Sequence, residues 1–183
     1  NDGWLVEGPI LYRGSATVVN GKFSASFIVP KDIKFDSLSA KLSALAYSDD
    51  NRCALGATRS LSLNGSDSVL SIIDTAGPTL GLFIGNKDFR SGDAVSKHST
   101  VIVDVADQHG LNTSDASVGH GFIAWVDDSS EASVDLAETF VAKQDDFTSG
   151  TSTHPIELPA GHHTLHVRAF DTFDNPTFAS VDF

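Results

Sequence analysis

One cysteine and seven histidines are the side chains of this 183-residue sequence best suited to nucleophilic or metal chemistry. A cysteine nucleophile needs an accessible thiolate and a positioned base. Cys53 stands in Asn51-Arg52-Cys53-Ala54-Leu55, where Arg52 favours the thiolate, yet the histidine nearest in sequence is His98. The surroundings therefore suit a small buried hydrophobe better than a nucleophile. The histidines crowd only at His162, His163 and His166. On a strand His162 and His166 would share a face, and they could chelate zinc only if another loop supplied a carboxylate or a third imidazole. Packing histidines are the expectation, and no metal site is assigned.

Carboxylates gather at Asp127-Asp128, at Asp145-Asp146, and at Asp171 with Asp174-Asn175. Oxygen-rich loops at one end of a β-sandwich suit calcium, the one cofactor this pattern admits. The twelve-residue calcium loop of helix-loop-helix proteins is missing, however, and acidic residues also cap turns. Nothing sets two acids across a cleft, no Ser lies in a Gly-x-Ser-x-Gly elbow, and there is no Gly-rich phosphate loop. No catalytic residue is assigned, so the chain is read as non-enzymatic. Among the aromatic residues, Trp125 shares its strand face with Ile123, while Phe122 and Val126 take the other. Trp125, His120 and Asp127 are the candidate ligand-binding residues.

The elements that must carry these residues are strands. Period-two alternation dominates, with 40% hydrophobic and 20% charged residues, enough apolar material for a core. Tyr12 to Val29 reads as a hairpin around Asn20-Gly21, a pair able to take positive φ at both positions. Val19 then faces Lys22, and Tyr12, Ala16 and Val18 share a face with Phe23, Phe27 and Val29. Leu38 to Ala46 and Ala54 to Leu63 read as two more strands, joined at Asp49-Asp50-Asn51 and closing at Asn64-Gly65. The turn-rich stretch Asp74 to Pro78 marks a boundary. Beyond it Leu80-Leu82-Ile84, Val101-Val103-Val105, Phe122-Ala124-Val126, Leu165-Val167-Ala169 and Thr177 to Phe183 alternate again, as in a sandwich of about 100 residues. Ala132 to Lys143 has helical spacing but is short enough for one turn of helix or an irregular edge. The expected fold is all-β with two β-sandwich, immunoglobulin-like units: 1–73, incomplete because a sandwich usually needs about seven strands, and 74–183.

The charge excludes some partners. Against 12 Lys and Arg stand 24 Asp and Glu, a net charge of -12, which repels nucleic acid and anionic lipid. No apolar run approaches the roughly 20 residues of a membrane span. The sequence lacks Met and starts at Asn1, so it reads as a piece of something longer.

Tyr12-Arg13-Gly14, Val18 to Phe23 and Phe27 to Ile33 resemble a run that follows the catalytic domain of gingipain-like cysteine peptidases, nearest to the sortase of the type IX secretion system. The likeness continues through Ala54 to Ala57, Asp74, Gly77-Pro78, Phe89, Gly110 to Ser114, Gly119-His120 and Asp127. It ends in Leu158, Gly161, His163, Leu165, Ala169, Asp171 and Asn175. Two positions depart: Gly121 stands where the family has Asp, and Phe170 where it has Trp. The family's catalytic His and Cys lie upstream of this region, so no catalytic role carries over. The resemblance implies a structural or protein-docking β region of an exported, outer-membrane-associated protein. Its implied partners are its own upstream peptidase domain and, beyond that, secretion-system proteins or exported cargo. A cell-surface module binding glycan or lipopolysaccharide is the alternative.

Overall fold

A computed structural model describes residues 8, 10–31, 33, 40–63, 72–114, 119–128 and 132–183. The protein is all-β, as expected. The chain forms two compact units, residues 34–73 and residues 1–33 together with 74–183. An edge thus falls at Asp74, and the described residues up to Ile33 belong to the larger unit.

In the smaller unit β1 (Ala40–Tyr47) pairs antiparallel with β2 (Cys53–Leu61). Asn51, at φ 63°, turns the chain, and Arg52 Nε donates to Asp50 Oδ2 at 2.7 Å. The alternation of Ala40, Leu42, Ala44 and Ala46 is present, but Leu45 opposes Leu55 on the other face. Each face therefore carries large apolar side chains among its polar ones, and these are exposed: Leu45 is 65% exposed, Leu55 79% and Tyr47 82% on one face, and Leu42 51% on the other. Cys53, expected to be buried, is exposed on this hairpin. The Asn64-Gly65 turn and Trp4 lie outside the described residues.

The larger unit holds two antiparallel four-stranded sheets. One contains β3 (Thr79–Ile84), β4 (His98–Ala106), β7 (Val141–Ala142) and β8 (Ser149–Glu157), in the order β3-β4-β8-β7. The other contains β5 (Ile123–Val126), β6 (Val134–Asp135), β9 (Thr164–Phe170) and β10 (Pro176–Asp182), in the order β10-β9-β5-β6. Val101, Val103 and Val105 from the first sheet and Ala124, Leu165, Val167 and Ala169 from the second form one core, the inward half of each alternating strand. Phe122 sits at its centre, edge-on to Phe140 with ring centroids 6.1 Å apart. The 132–143 segment is an irregular edge: β6, a 3-10 turn at Ala137–Thr139, then β7.

Strand β8 is the element that alternation does not reveal. Its inward residues opposite Val105, Val103 and Val101 are Gly150, Ser152 and His154. The 136–140 segment supplies the missing apolar bulk, for Leu136 and Phe140 are buried beside it. Ser152 Oγ donates to the Leu136 carbonyl at 2.8 Å. A Cβ on Gly150 would lie 2.5 Å from both Phe140 Cζ and the Val141 carbonyl oxygen. Gly150→Ala is therefore expected to cost about 2 kcal/mol through overpacking, read as a lower midpoint in urea unfolding with an unchanged slope.

The Asn20-Gly21 turn forms as its sequence requires, with φ of 52° and 75° and paired Val19–Lys22 backbone hydrogen bonds of 2.9 and 3.1 Å. The arms make no continuous ladder with each other. Tyr12 stacks on Phe27 at 4.9 Å, on the shared face, whereas Val18 and Phe23 near the tip are exposed. The first arm instead follows the β7 edge: Ala142 N–H donates to the Arg13 carbonyl and Asp145 N–H to the Ser15 carbonyl. Thr17 returns two bonds to the Asp145 carboxylate, at 2.7 and 2.5 Å. This arm covers backbone that an edge strand would otherwise present to other chains. Asp145→Ala should release it, seen as faster amide exchange at Thr17 and Ala142 with little change at Val103.

Candidate functional site

The three candidate ligand residues lie along β5 but make separate contacts. His120, before the strand, stacks on Phe170 at 4.5 Å, with Nδ1 3.6 Å from Asp174 Oδ1. Trp125 pairs across strands with His166 and stacks on it at 5.4 Å. Asp127, after the strand, takes positive φ and accepts from the Thr164 N–H at 3.0 Å. Its other oxygen lies 2.7 Å from His163 Nδ1. Six residues, four of them in β5 at about 3.3 Å each, separate His120 from Asp127, so the three residues do not converge on one point. His162 precedes β9 and is exposed, so the strand geometry that would pair it with His166 does not reach it.

The acidic loops use their oxygens locally. Asp145 holds Thr17, and Asp146 holds the Thr148 N–H and hydroxyl and the Ser149 hydroxyl. Those bonds lower both carboxyl pKa values. At Asp127 the Thr164 N–H is the leading cause of a lowered pKa, followed by His163. The Asp127 hydrogen bond raises the His163 pKa, with the Ala160 carbonyl second. The His163 contribution to stability is thus complete below its unfolded pKa and fades as pH rises through the higher folded value. The Asp127 contribution is present above its unfolded pKa and is lost as pH falls through the lowered one. In an NMR titration His163 should titrate above the ordinary value of about 6.5, and Asp127→Asn should return it toward that value.

A different cluster gathers residues distant in sequence. Asp74, ahead of β3, places Oδ2 against His109 Nδ1. Its Oδ1 accepts the Ala76 N–H at 3.1 Å, the leading cause of its lowered pKa. Asp107 Oδ1 accepts the His109 N–H at 2.7 Å. Burial, reinforced by Asp171 and Asp74, raises the Asp107 pKa. The His109 ring packs on Phe173 at 4.9 Å, over which Lys31 Nζ sits at 4.2 Å. Neighbouring Asp171 is fully buried. Its carboxylate accepts the N–H groups of Phe173 and Asn175 at 2.9 and 2.7 Å and the Asn175 amide at 2.7 Å. That amide also reaches the Asp74 carbonyl at 3.2 Å. Leu111 bridges to Asp171, and a Cβ on Gly77 would lie 2.5 Å from the Pro176 carbonyl oxygen. With the Gly110 carbonyl accepting the Thr172 N–H at 3.1 Å, Asp74, Gly77, Gly110, Leu111, Asp171 and Asn175 form one clasp at an end of the sandwich. The sequence marks most of these positions through the resemblance, but Asp107 and His109 carry no signal beyond their i, i+2 spacing in a turn.

Solved structures supply the relationship. The crystal structure of dimeric latent PorU from Porphyromonas gingivalis superposes with a TM-score of 0.58 and 27% sequence identity, covering 88% of this chain. The chain is similar to a β region of PorU. The match spans 15% of the PorU chain, so the region corresponds to a small part of a larger protein. No protein-family model matches the chain, and neither does any curated protein. Among the described residues no helix is long and apolar enough to cross a membrane. The unit that carries Cys53 contains no histidine.

Proposed function

We propose that this chain is the non-catalytic β region that follows the peptidase domain of an exported, surface-associated cysteine peptidase of the type IX sortase kind, and that it docks on that peptidase through β1 and β2. The open hairpin carries this reading. Leu45, Leu55 and Tyr47 line one face, and Leu42, Ala44, Ala46, Ala54 and Gly56 line the other. Strands apolar on both sides are normally covered on both, and an exposed patch of this kind marks an interaction surface. The small share of PorU that the match spans supports the remainder of the parent as the cover. Limited proteolysis of the full-length parent and of this chain alone tests it. Cleavage at Leu45 to Leu55 should be suppressed in the parent, and Leu45→Asp with Leu55→Asp should restore it. Equal cleavage in both proteins would overturn the docking role, and thiol-dependent peptide turnover by this chain alone would overturn the non-catalytic one.

A second reading, a surface glycan-binding module, has one observation in its favour. Trp125, His166, Arg168 and Phe178 share the outer face of the β10-β9-β5-β6 sheet, and Phe178 is 65% exposed. A glycan screen with and without calcium, repeated on Trp125→Ala, decides it. Binding lost in a folded variant supports the platform, and absence of binding in both conditions removes it.

A further inference from the structure

We propose that Asp74, Asp107 and His109 form a site for one divalent transition-metal ion, with Zn²⁺ the ion their chemistry suits. One donor atom from each lies within 4.8 Å of the other two, close enough for a single ion to draw all three to bonding distances near 2.0–2.2 Å with small side-chain shifts. One imidazole with two carboxylates matches borderline first-row ions better than calcium, which takes six or more oxygens.

The side chains are sheltered and held. His109 is 15% exposed and Asp74 12%. The Thr172 hydroxyl donates to the His109 carbonyl at 3.0 Å, and the Asn175 amide fixes the Asp74 backbone. Asp107 keeps one oxygen beyond the bond to its own turn. Asp74 and Asp107 place two carboxylates beside one imidazole, a donor set whose formal charge a divalent ion would neutralise. A bound ion would add a link between the segment entering β3 and the turn leaving β4, inside one compact unit. An Asp74–His109 ion pair alone would need no third ligand.

Calorimetric titration of the intact chain with ZnCl₂, with CaCl₂ in parallel, tests the site. One Zn²⁺ should bind per chain and raise the melting temperature. Asp107→Asn keeps the acceptor for the His109 N–H and should weaken binding by roughly tenfold or more. Paramagnetic Co²⁺ locates the ion in the unmodified chain, independent of any variant's folding, and should broaden amide resonances around Asp74 and His109 first. No Zn²⁺ uptake at about 1 mM, calcium binding in preference, undiminished uptake by a folded Asp107→Asn, or Co²⁺ broadening centred on His162 to His166 would each overturn the proposal.

Discussion

Phe122→Ala is expected to cost about 4 kcal/mol, the largest loss foreseen for any single substitution in this protein. Phe122 is 1% exposed and joins the two sheets to the 136–140 segment through its edge-on contact with Phe140. Truncation removes the transfer energy of a buried aromatic side chain and leaves a void. The surrounding residues cannot readily close it, since β5 is fixed on one side by β9 and on the other by β6. The melting temperature should fall by roughly 12 °C. Phe122→Leu, which retains most of the volume, should recover more than half of that. If Phe122→Ala melted within a few degrees of the unmodified chain, the centre of the sandwich would lie elsewhere.

Asp171→Ala should cost about 3 kcal/mol for a different reason. Asp171 is fully buried, and its carboxylate satisfies two backbone N–H groups and the Asn175 amide. Removing it strands those donors out of reach of bulk water, which costs more than the net gain from forming the bonds. The loss should not stay local, because Asn175 ties the same turn to Asp74. Amide exchange should accelerate at Phe173 and Asn175 and also at Ala76, whose N–H is held by Asp74. Asp171→Asn keeps acceptors for the backbone donors but sets one amide against another, so it should fall between alanine and the native residue. Acceleration confined to 171–175 would show that the clasp does not couple these segments.

What could be read in the sequence follows from where each signal is stored. Asn20-Gly21 specifies its turn locally, and the alternating valines of β4 declare their inward face without help. The role of the arms around that turn is not local: Arg13 and Ser15 bond to Ala142 and Asp145, residues about 130 positions away, and nothing near Tyr12 announces that partner. Strand β8 was hidden because Gly150 and Ser152 are small to admit Leu136 and Phe140, so its pattern makes sense only beside those residues. Leu45 shows the opposite failure. Reading only its even-numbered neighbours suggests one buried face, whereas the pairing of Leu45 with Leu55 puts large apolar side chains on the second face as well. The candidate site was partly legible: Asp74, Asp171 and Asn175 stand out by resemblance, but their convergence with Asp107 and His109 depends on the fold bringing three loops to one end.

The reading of this chain as the non-catalytic partner of a peptidase rests most directly on what precedes it. Determining the reading frame upstream of Asn1 tests that claim in one step. The account predicts a peptidase domain with a paired His and Cys, continuous with the Tyr12 to Ile33 run. A frame that opens close to Asn1, or one whose upstream domain lacks that pair, would contradict it.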